Sequence, residues 1–126
     1  LDNLSYRLQE MDESTKNQKE YLIQYSKMAF NNKKKSIGDR FSEYCRLCTL
    51  RALDDGWIEE VDYLQQLQAA ISGRSIAPRN LLFEYQREAR ISFEDMEKSI
   101  KKAMIRNILL GEVSFGKDNE MIILYP

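Results

Sequence analysis

Nine residues near the middle of the chain carry the strongest turn signal in the sequence. A glycine, two serines and a proline fall within Ser72 to Asn80, and residues of these types end helices and form turns. On both sides, apolar residues recur at steps of three and four, which is the spacing of one helix face. The stripe before the turn contains Phe41, Tyr44, Cys45, Cys48, Leu53, Trp57, Val61, Leu64, Leu67 and Ile71, and the stripe after it contains Leu82, Tyr85, Ala89, Phe93, Met96, Ile100, Met104 and Ile108. A short turn between two such stripes predicts an antiparallel helical hairpin.

The helix before the turn is predicted to be long for a domain of this size. It begins around Ser36 to Asp39 and continues to Ile71, a length of about 50 Å at 1.5 Å per residue. Gly56 falls inside it, but one interior glycine costs only about 1 kcal/mol, which a long apolar stripe can offset. The helix after the turn is predicted to start with Asn80 as its N-cap and to end near Gly111. Helices of this length are typical of a larger assembly or a coiled-coil arm.

Two further elements flank the predicted hairpin. Thr15 and Gln18 stand in capping-box spacing and predict an N-terminal helix that runs to about Asn32. After Gly111 the apolar period changes from helical to extended, which predicts a short β-hairpin or an extended tail. The sequence has only two prolines and five glycines, fewer turn residues than an all-β fold needs. The predicted class is therefore all-α: a long antiparallel helical hairpin, an additional N-terminal helix and a short C-terminal β-hairpin or extended tail.

The charge pattern argues against nucleic acid as the main partner. The net charge is −1, whereas nucleic-acid-binding domains usually carry a basic excess. The run Lys33 to Lys35 is interpreted as a solvated helix end, and a phosphate or lipid contact is the competing interpretation. No stretch approaches the roughly 18 apolar residues that span a bilayer, and the N-terminus lacks the layout of a signal peptide. These features predict a cytoplasmic protein whose membrane contact is peripheral.

The residues of common catalytic and metal sites are missing or stand in the wrong context. The sequence contains no histidine, which excludes a serine triad and a Cys-His pair. Cys45 and Cys48 cannot complete a four-ligand zinc site, so they are predicted to be reduced, buried or half-buried helix residues. No phosphate-binding loop is present, and the pairs Asp54-Asp55 and Glu59-Glu60 are interpreted as solvated carboxylates. The chain alone is therefore predicted to be no enzyme and to hold no cofactor or metal.

Two segments of the predicted hairpin resemble signatures of the SecA family of protein-export motors. Leu53 to Leu64 is similar to the SecA segment in which Leu/Ile-Asp-x-x-Trp leads into Met-Asp-x-Leu. Glu84 to Ala89 resembles the family's Glu-Tyr-Lys-Arg-Glu stretch, and the spacing between the two motifs also agrees with the family. The resemblance is strong over Leu53 to Leu110. Upstream, Tyr21 to Gly38 followed by Arg40 to Asp55 resembles the end of the SecA helical wing domain in pattern.

The resemblance implies three parts and a functional loop. Residues 1–52 correspond to the end of the helical wing domain, residues 53–111 to the two-helix finger of the helical scaffold domain, and residues 112–126 to a C-terminal tail. In SecA proteins the loop of the finger faces the channel mouth and contacts the translocating polypeptide. By position, that loop consists here of Gly73, Arg74, Ser75, Ile76, Ala77, Pro78, Arg79 and Asn80.

The loop matches the family only in part. Arg74 matches a family arginine, whereas Ser75 and Ile76 stand where a glycine and a tip tyrosine are usual, and Asn80-Leu81 replaces Asp-Pro. These departures resemble an accessory SecA paralogue of Gram-positive bacteria. The resemblance implies that ATPase domains of the same protein, outside this chain and with their own ATP and Mg²⁺, drive preprotein export. It implies a SecY-type channel and unfolded preproteins as partners, at the inner face of the cell membrane.

Two other interpretations stay open at this stage. The chain can be a stand-alone helical adaptor or coiled-coil dimerisation domain, in which the apolar stripes pack against a second copy; a homodimer is also compatible with the SecA interpretation. Alternatively, a helical surface that carries Lys33 to Lys35 can bind nucleic acid or a membrane surface, an interaction that salt would weaken.

Overall fold

The computed structural model describes the backbone of residues 2–74 and 78–126, and the side-chain surroundings of residues 9–10, 12–74 and 78–126. Three helices account for most of this part of the chain, followed by two short strands. The elements are α1 (Asp2–Ile37), a 3₁₀ turn (Gly38–Arg40), α2 (Phe41–Ser72), α3 (Pro78–Leu110), β1 (Glu112–Phe115) and β2 (Met121–Leu124). The predicted all-α class with a C-terminal β-hairpin is confirmed. Among the described residues, no helix has a stretch that is long and apolar enough to cross a membrane.

The contacts divide the chain into two compact units, Leu1–Phe41 and Ser42–Pro126. The first unit consists mainly of α1, and the second contains α2, α3 and the β-hairpin. Residues within each unit contact one another more than they contact the other unit, which does not test the three parts that the resemblance implied. The assignment of residues 1–52, 53–111 and 112–126 to wing, finger and tail stays a prediction.

Helix α1 is longer at both ends than the sequence suggested. It begins at Asp2, so the predicted start at Thr15 was wrong; the preceding segment is rich in Leu, Gln, Glu and Arg, which favour helix. It also continues past Asn32 to Ile37. The residue after the helix is Gly38, whose φ of 75° lies in the left-handed region that glycine adopts without steric cost. Two lysines of the predicted basic helix end, Lys34 and Lys35, lie in the last turn.

The apolar stripe of α1 lies at the surface of the first unit. Tyr21, Leu22, Tyr25 and Met28 are exposed, each by more than half of its area. Near the end of the unit, Phe30 packs edge to face against Phe41, with the ring centroids 5.2 Å apart. The regular spacing of these residues therefore identified a helix, although this face is not part of a core within the described unit.

Helices α2 and α3 pack antiparallel in the second unit, as predicted. Contacts pair the beginning of α2 with the end of α3 and the end of α2 with the beginning of α3. In order along α2, they join Tyr44 with Asn107, Gly56 with Ile100, Trp57 with Phe93 and Glu60 with Ser92. Beyond the end of α2, Arg74 pairs with Glu84 of α3. Ala52, Met96 and Ile100 form a buried cluster in the middle, with Leu53, Ala103 and Met104 packed against it.

Gly56 lies at a close approach between α2 and α3. A β-carbon at this position would lie 2.5 Å from Ile100 Cγ1 and 2.8 Å from Ile100 Cδ1. α2 runs through Gly56 without interruption, as the sequence predicted. Because glycine has no side chain, Ile100 of α3 can pack directly against α2 at this position.

The β-hairpin docks on α2 through its last aromatic residue. β1 and β2 are antiparallel, and their register pairs Glu112 with Leu124 and Phe115 with Met121. The connecting turn includes Asn119 at a φ of 58°, a conformation that asparagine tolerates better than most residues. Beyond β2, the Tyr125 hydroxyl donates to the Leu47 carbonyl at 3.3 Å. This contact agrees with the expectation that two strands need a docking partner in water.

Candidate functional site

The segment that the sequence singled out, which we call the tip loop (Gly73–Asn80), consists of the turn after α2 and the first three residues of α3. The Arg74 amide donates to the Ile71 carbonyl at 3.0 Å, directly after α2. Pro78 is the first residue of α3, a position that suits proline because its missing N–H is not needed there. Asn80 consequently lies inside α3, so its predicted role as N-cap was wrong. Ser75, Ile76 and Ala77 lie outside the described residues.

Arg74 connects the tip loop to α3 through its side chain. Its guanidinium Nη1 forms an ion pair with Glu84 Oε1 and lies 3.6 Å from Glu88 Oε1. The two glutamates are four residues apart and therefore share one face of the helix. The Arg74 side chain is 39% exposed and each glutamate 34%. The tip-loop arginine and the Glu-Tyr-Gln-Arg-Glu stretch, which the sequence identified as separate motifs, thus meet in one place.

A shallow apolar groove lies next to the tip loop. Its lining comes from the last turns of α2 and the first turns of α3, namely Gln68, Ile71, Ser72, Leu81, Leu82 and Tyr85. Ile71 is buried, whereas Leu82 is 60% exposed. Phe83, also exposed, adds a large apolar side chain to the first turns of α3. This end of the hairpin therefore combines apolar surface with the charges of Arg74 and its partners.

The opposite end of the hairpin is held by Tyr44, a residue that the sequence marked only as part of the stripe. Its side chain is fully buried, and its hydroxyl lies 2.9 Å from the carbonyl oxygens of Asn107 and Ile108 and 3.3 Å from that of Gly111. The hydroxyl thus serves the Ile108 carbonyl in the last turn of α3 and shares the Asn107 carbonyl with the Gly111 amide. Burial raises the pKa of the Tyr44 hydroxyl above its usual value, and the neighbouring Cys48 adds to the shift. The group stays protonated and remains a donor.

Asn107 and Gly111 complete this end of the hairpin. The Asn107 side-chain amide donates to the Cys48 carbonyl at 3.2 Å. At Gly111, a β-carbon would lie 2.5 Å from the Asn107 carbonyl oxygen and 2.6 Å from the Tyr44 hydroxyl. Sequence analysis identified Gly111 as a helix end, but the Tyr44 contact depends on packing between residues more than 60 positions apart.

The acidic pair Glu59-Glu60 differs from its interpretation as two solvated carboxylates. Glu59 is exposed, but Glu60 is only 5% exposed and accepts a hydrogen bond from Ser92 Oγ at 2.8 Å on Oε2. Glu60 follows Gly56 by four residues and therefore lies on the face of α2 that packs against α3. Asp54 and Asp55 are exposed, as expected.

The cysteine prediction is confirmed for both residues. Cys48 is buried, Cys45 is half-buried, and both are free thiols. Burial raises the pKa of the Cys45 thiol, which lowers the fraction of reactive thiolate at neutral pH. The two cysteines are packing residues of α2.

Helices α2 and α3 form a long hairpin with the ion pair of Arg74 at one end and the buried Tyr44 at the other. Such a hairpin is a helical scaffold, and the family comparison agrees with this description. The model of the SecA wing and scaffold domain matches residues 1–112. The chain therefore belongs to the SecA wing and scaffold domain family, as its motifs suggested. This domain is a non-catalytic part of SecA proteins, so the chain alone is not an enzyme.

Among curated proteins, several similar relatives are named protein translocase subunit SecA 2. The chain is 40% identical to the protein of Streptococcus agalactiae over 127 aligned residues, which cover 99% of the chain and 16% of the relative. It is 38% identical to the Staphylococcus epidermidis protein over 107 residues, covering 83% of the chain and 13% of the relative. Similarity to these Gram-positive SecA 2 proteins agrees with the accessory type. The chain thus spans about one sixth of their length or less. No solved structure matches the chain.

Proposed function

We propose that the chain is the wing and scaffold part of an accessory SecA-type preprotein translocase. In this proposal, the tip loop contacts the exported polypeptide at the mouth of a SecY-type channel during ATP-driven export. The ATPase domains belong to the rest of the same protein, which is recruited to the inner face of the cell membrane through the channel. The observation that carries the proposal is the match of residues 1–112 to the SecA wing and scaffold domain.

The packing of the hairpin supports a mechanical role. α2 has 32 residues and α3 has 33, so each helix is about 50 Å long. The helices are joined by Tyr44 at one end, by Ala52, Met96 and Ile100 in the middle, and by Arg74 at the other end. Because close-packed interiors transmit strain rather than absorb it, a displacement applied at the base reaches the tip loop.

The chemistry of the tip supports contact with an unfolded chain. Leu82 and Phe83 are exposed beside the tip loop, and the sequence of the loop includes the apolar residue Ile76. Apolar contact is non-directional, so such a surface can press on polypeptides of different sequence. A hydrogen-bonding site would instead select particular residues.

Replacing Ile76 with serine in the full-length protein tests the role of the tip loop. We expect export of a model preprotein to fall about fivefold, which corresponds to losing roughly 1 kcal/mol of apolar contact from a partly covered isoleucine. ATP hydrolysis in the absence of preprotein stays unchanged. The matched control is Ile105→Ser, at an exposed isoleucine of α3 distant from the loop in sequence, which should export normally. Normal export by the Ile76→Ser variant would refute the loop role.

The exposed stripe of α1 favours a second candidate, a stand-alone adaptor that dimerises. Tyr21, Leu22, Tyr25 and Met28 present an apolar helix face of the kind that pairs with a second copy. Sedimentation velocity of the 126-residue chain over a hundredfold concentration range separates the two functions. A monomer supports the translocase part, whereas a dimer that persists at the lowest concentration supports the adaptor.

A further inference from the structure

Ion pairs join Arg74 of the tip loop to Glu84 and Glu88 of α3. We propose that Arg74, Glu84 and Glu88 form a charge clamp that positions the tip loop against α3, and that this clamp is needed for the loop to act. The clamp itself is inferred from geometry. Its effect on export rests on the proposed function of the loop.

Arg74 is tied to both helices while belonging to neither. α2 ends at Ser72 and α3 begins at Pro78. The Arg74 amide donates to the Ile71 carbonyl of α2 at 3.0 Å, and its guanidinium reaches Glu84 and Glu88 of α3. The backbone contact fixes how the chain leaves α2, and the side-chain contacts fix that point relative to α3.

Arg74 offsets a repulsion between the two glutamates. Two like charges at positions i and i+4 of a helix repel each other weakly, and Glu84 and Glu88 stand at this spacing in α3. The Arg74 guanidinium offsets this repulsion by pairing with both carboxylates. Since its planar fork carries five N–H donors, arginine can serve two carboxylates at once. The spacing of the two glutamates allows both carboxylates to pair with the same arginine.

The clamp limits where the middle of the tip loop can be. One residue of chain spans at most about 3.6 Å, so residue 76 stays within about 7 Å of the Cα atom of Arg74. On the other side, α3 starts at Pro78. Holding Arg74 against α3 therefore restricts the space available to Ile76, the residue that the proposed function places against the exported chain.

Paired distance and export measurements on the full-length protein test the clamp. Spin labels on noncanonical amino acids at positions 76 and 90 leave Cys45 and Cys48 unchanged and report the spread of loop positions. In unlabelled protein, we expect Arg74→Glu to lower export about two- to fivefold, the effect of a partly shielded ion pair. In labelled protein, it should broaden the distribution of distances between the two labels relative to the parent protein.

The charge-swapped variant and a control separate the clamp from general damage. Arg74→Glu combined with Glu84→Arg should restore the distance distribution of the parent protein and most of the export. Arg106→Glu, at an exposed arginine far along α3, should change neither. The unfolding midpoint of each variant should stay within about 4 °C of the parent protein.

The outcomes distinguish the clamp from the proposed function. An unchanged distance distribution in the Arg74→Glu variant, or no recovery in the charge-swapped variant, overturns the clamp. If the distribution broadens and recovers on charge swapping while both Ile76→Ser and Arg74→Glu export normally, the clamp is supported and the export role of the loop fails. Broadening together with lost export, both restored by the swap, supports both.

Discussion

Replacing Tyr44 with alanine is expected to lower the free energy of unfolding of the 126-residue chain by about 3–5 kcal/mol. The side chain is fully buried at the base of the hairpin, so its removal leaves a cavity that the long helices cannot close. It also removes the donor that serves the carbonyl groups of Asn107 and Ile108. Because small proteins are stable by only about 5–15 kcal/mol, the loss is a large fraction of the total. Urea unfolding followed by circular dichroism measures it.

Two further tyrosine variants separate packing from hydrogen bonding. Tyr44→Phe keeps the ring and loses the hydroxyl, so we expect a smaller cost of about 1–3 kcal/mol, because the carbonyl groups at the end of α3 lose this donor and the Asn107 carbonyl keeps only the Gly111 amide. Tyr25→Ala removes a side chain that is 62% exposed, and its effect should stay within about 0.5 kcal/mol. If Tyr44→Ala costs no more than Tyr25→Ala, the base of the hairpin is not held in this way.

Replacing Gly56 with alanine is expected to destabilise the chain by about 1–3 kcal/mol, because it overfills the contact between α2 and α3. Helix propensity alone predicts the opposite sign, since alanine favours a helix interior by about 1 kcal/mol over glycine. The added β-carbon would lie 2.5 Å from Ile100 Cγ1. Ile100 is 8% exposed and packed with Met96 and Ala52, so it cannot move aside freely. The sign of the change in unfolding free energy therefore decides between propensity and packing.

A double-mutant cycle tests whether Ile100 causes the loss of stability in the Gly56→Ala variant. Ile100→Ala removes the clashing carbons, so the combined Gly56→Ala and Ile100→Ala variant should lose less stability than the sum of the two single variants. Gly73→Ala is the matched control, because a β-carbon there would meet only backbone oxygens at 3.6 Å and 3.9 Å. We expect that substitution to change stability by less than about 0.5 kcal/mol. Additive single effects would show that Gly56 and Ile100 do not oppose each other.

The parts of the fold that sequence could predict are those with local signals. Periodic apolar residues identified α2 and α3, and glycine and proline marked the turn between them. The start of α1 was missed because Thr15 and Gln18 carry a capping pattern that also fits inside a helix. Such a pattern marks a helix start only when the residues before it disfavour helix, and here the preceding residues favour it.

The candidate site could be predicted in its composition but not in its contacts. Family resemblance placed Arg74 in the tip loop and singled out Glu84 and Glu88 as part of a motif, but periodicity cannot say which charged side chains meet. Glu60 also shows that local sequence does not specify which residues are buried between the helices. Its charge predicted exposure, whereas its position beside Gly56 on the packed face of α2 buries it. These outcomes depend on how the two helices are rotated against each other, which no short stretch of sequence specifies.

The hydrogen bonds and ion pairs that join α2 to α3 also differ in how much chain lies between the partners. Arg74 and Glu84 are 10 residues apart, Glu60 and Ser92 are 32 apart, and Tyr44 and Asn107 are 63 apart. Closing a longer loop costs more chain entropy and delays contact formation. The hairpin is therefore expected to fold as a zipper that starts at the tip and closes last at Tyr44. The contact with the greatest expected effect on the stability of the hairpin then contributes least to the speed at which the hairpin forms.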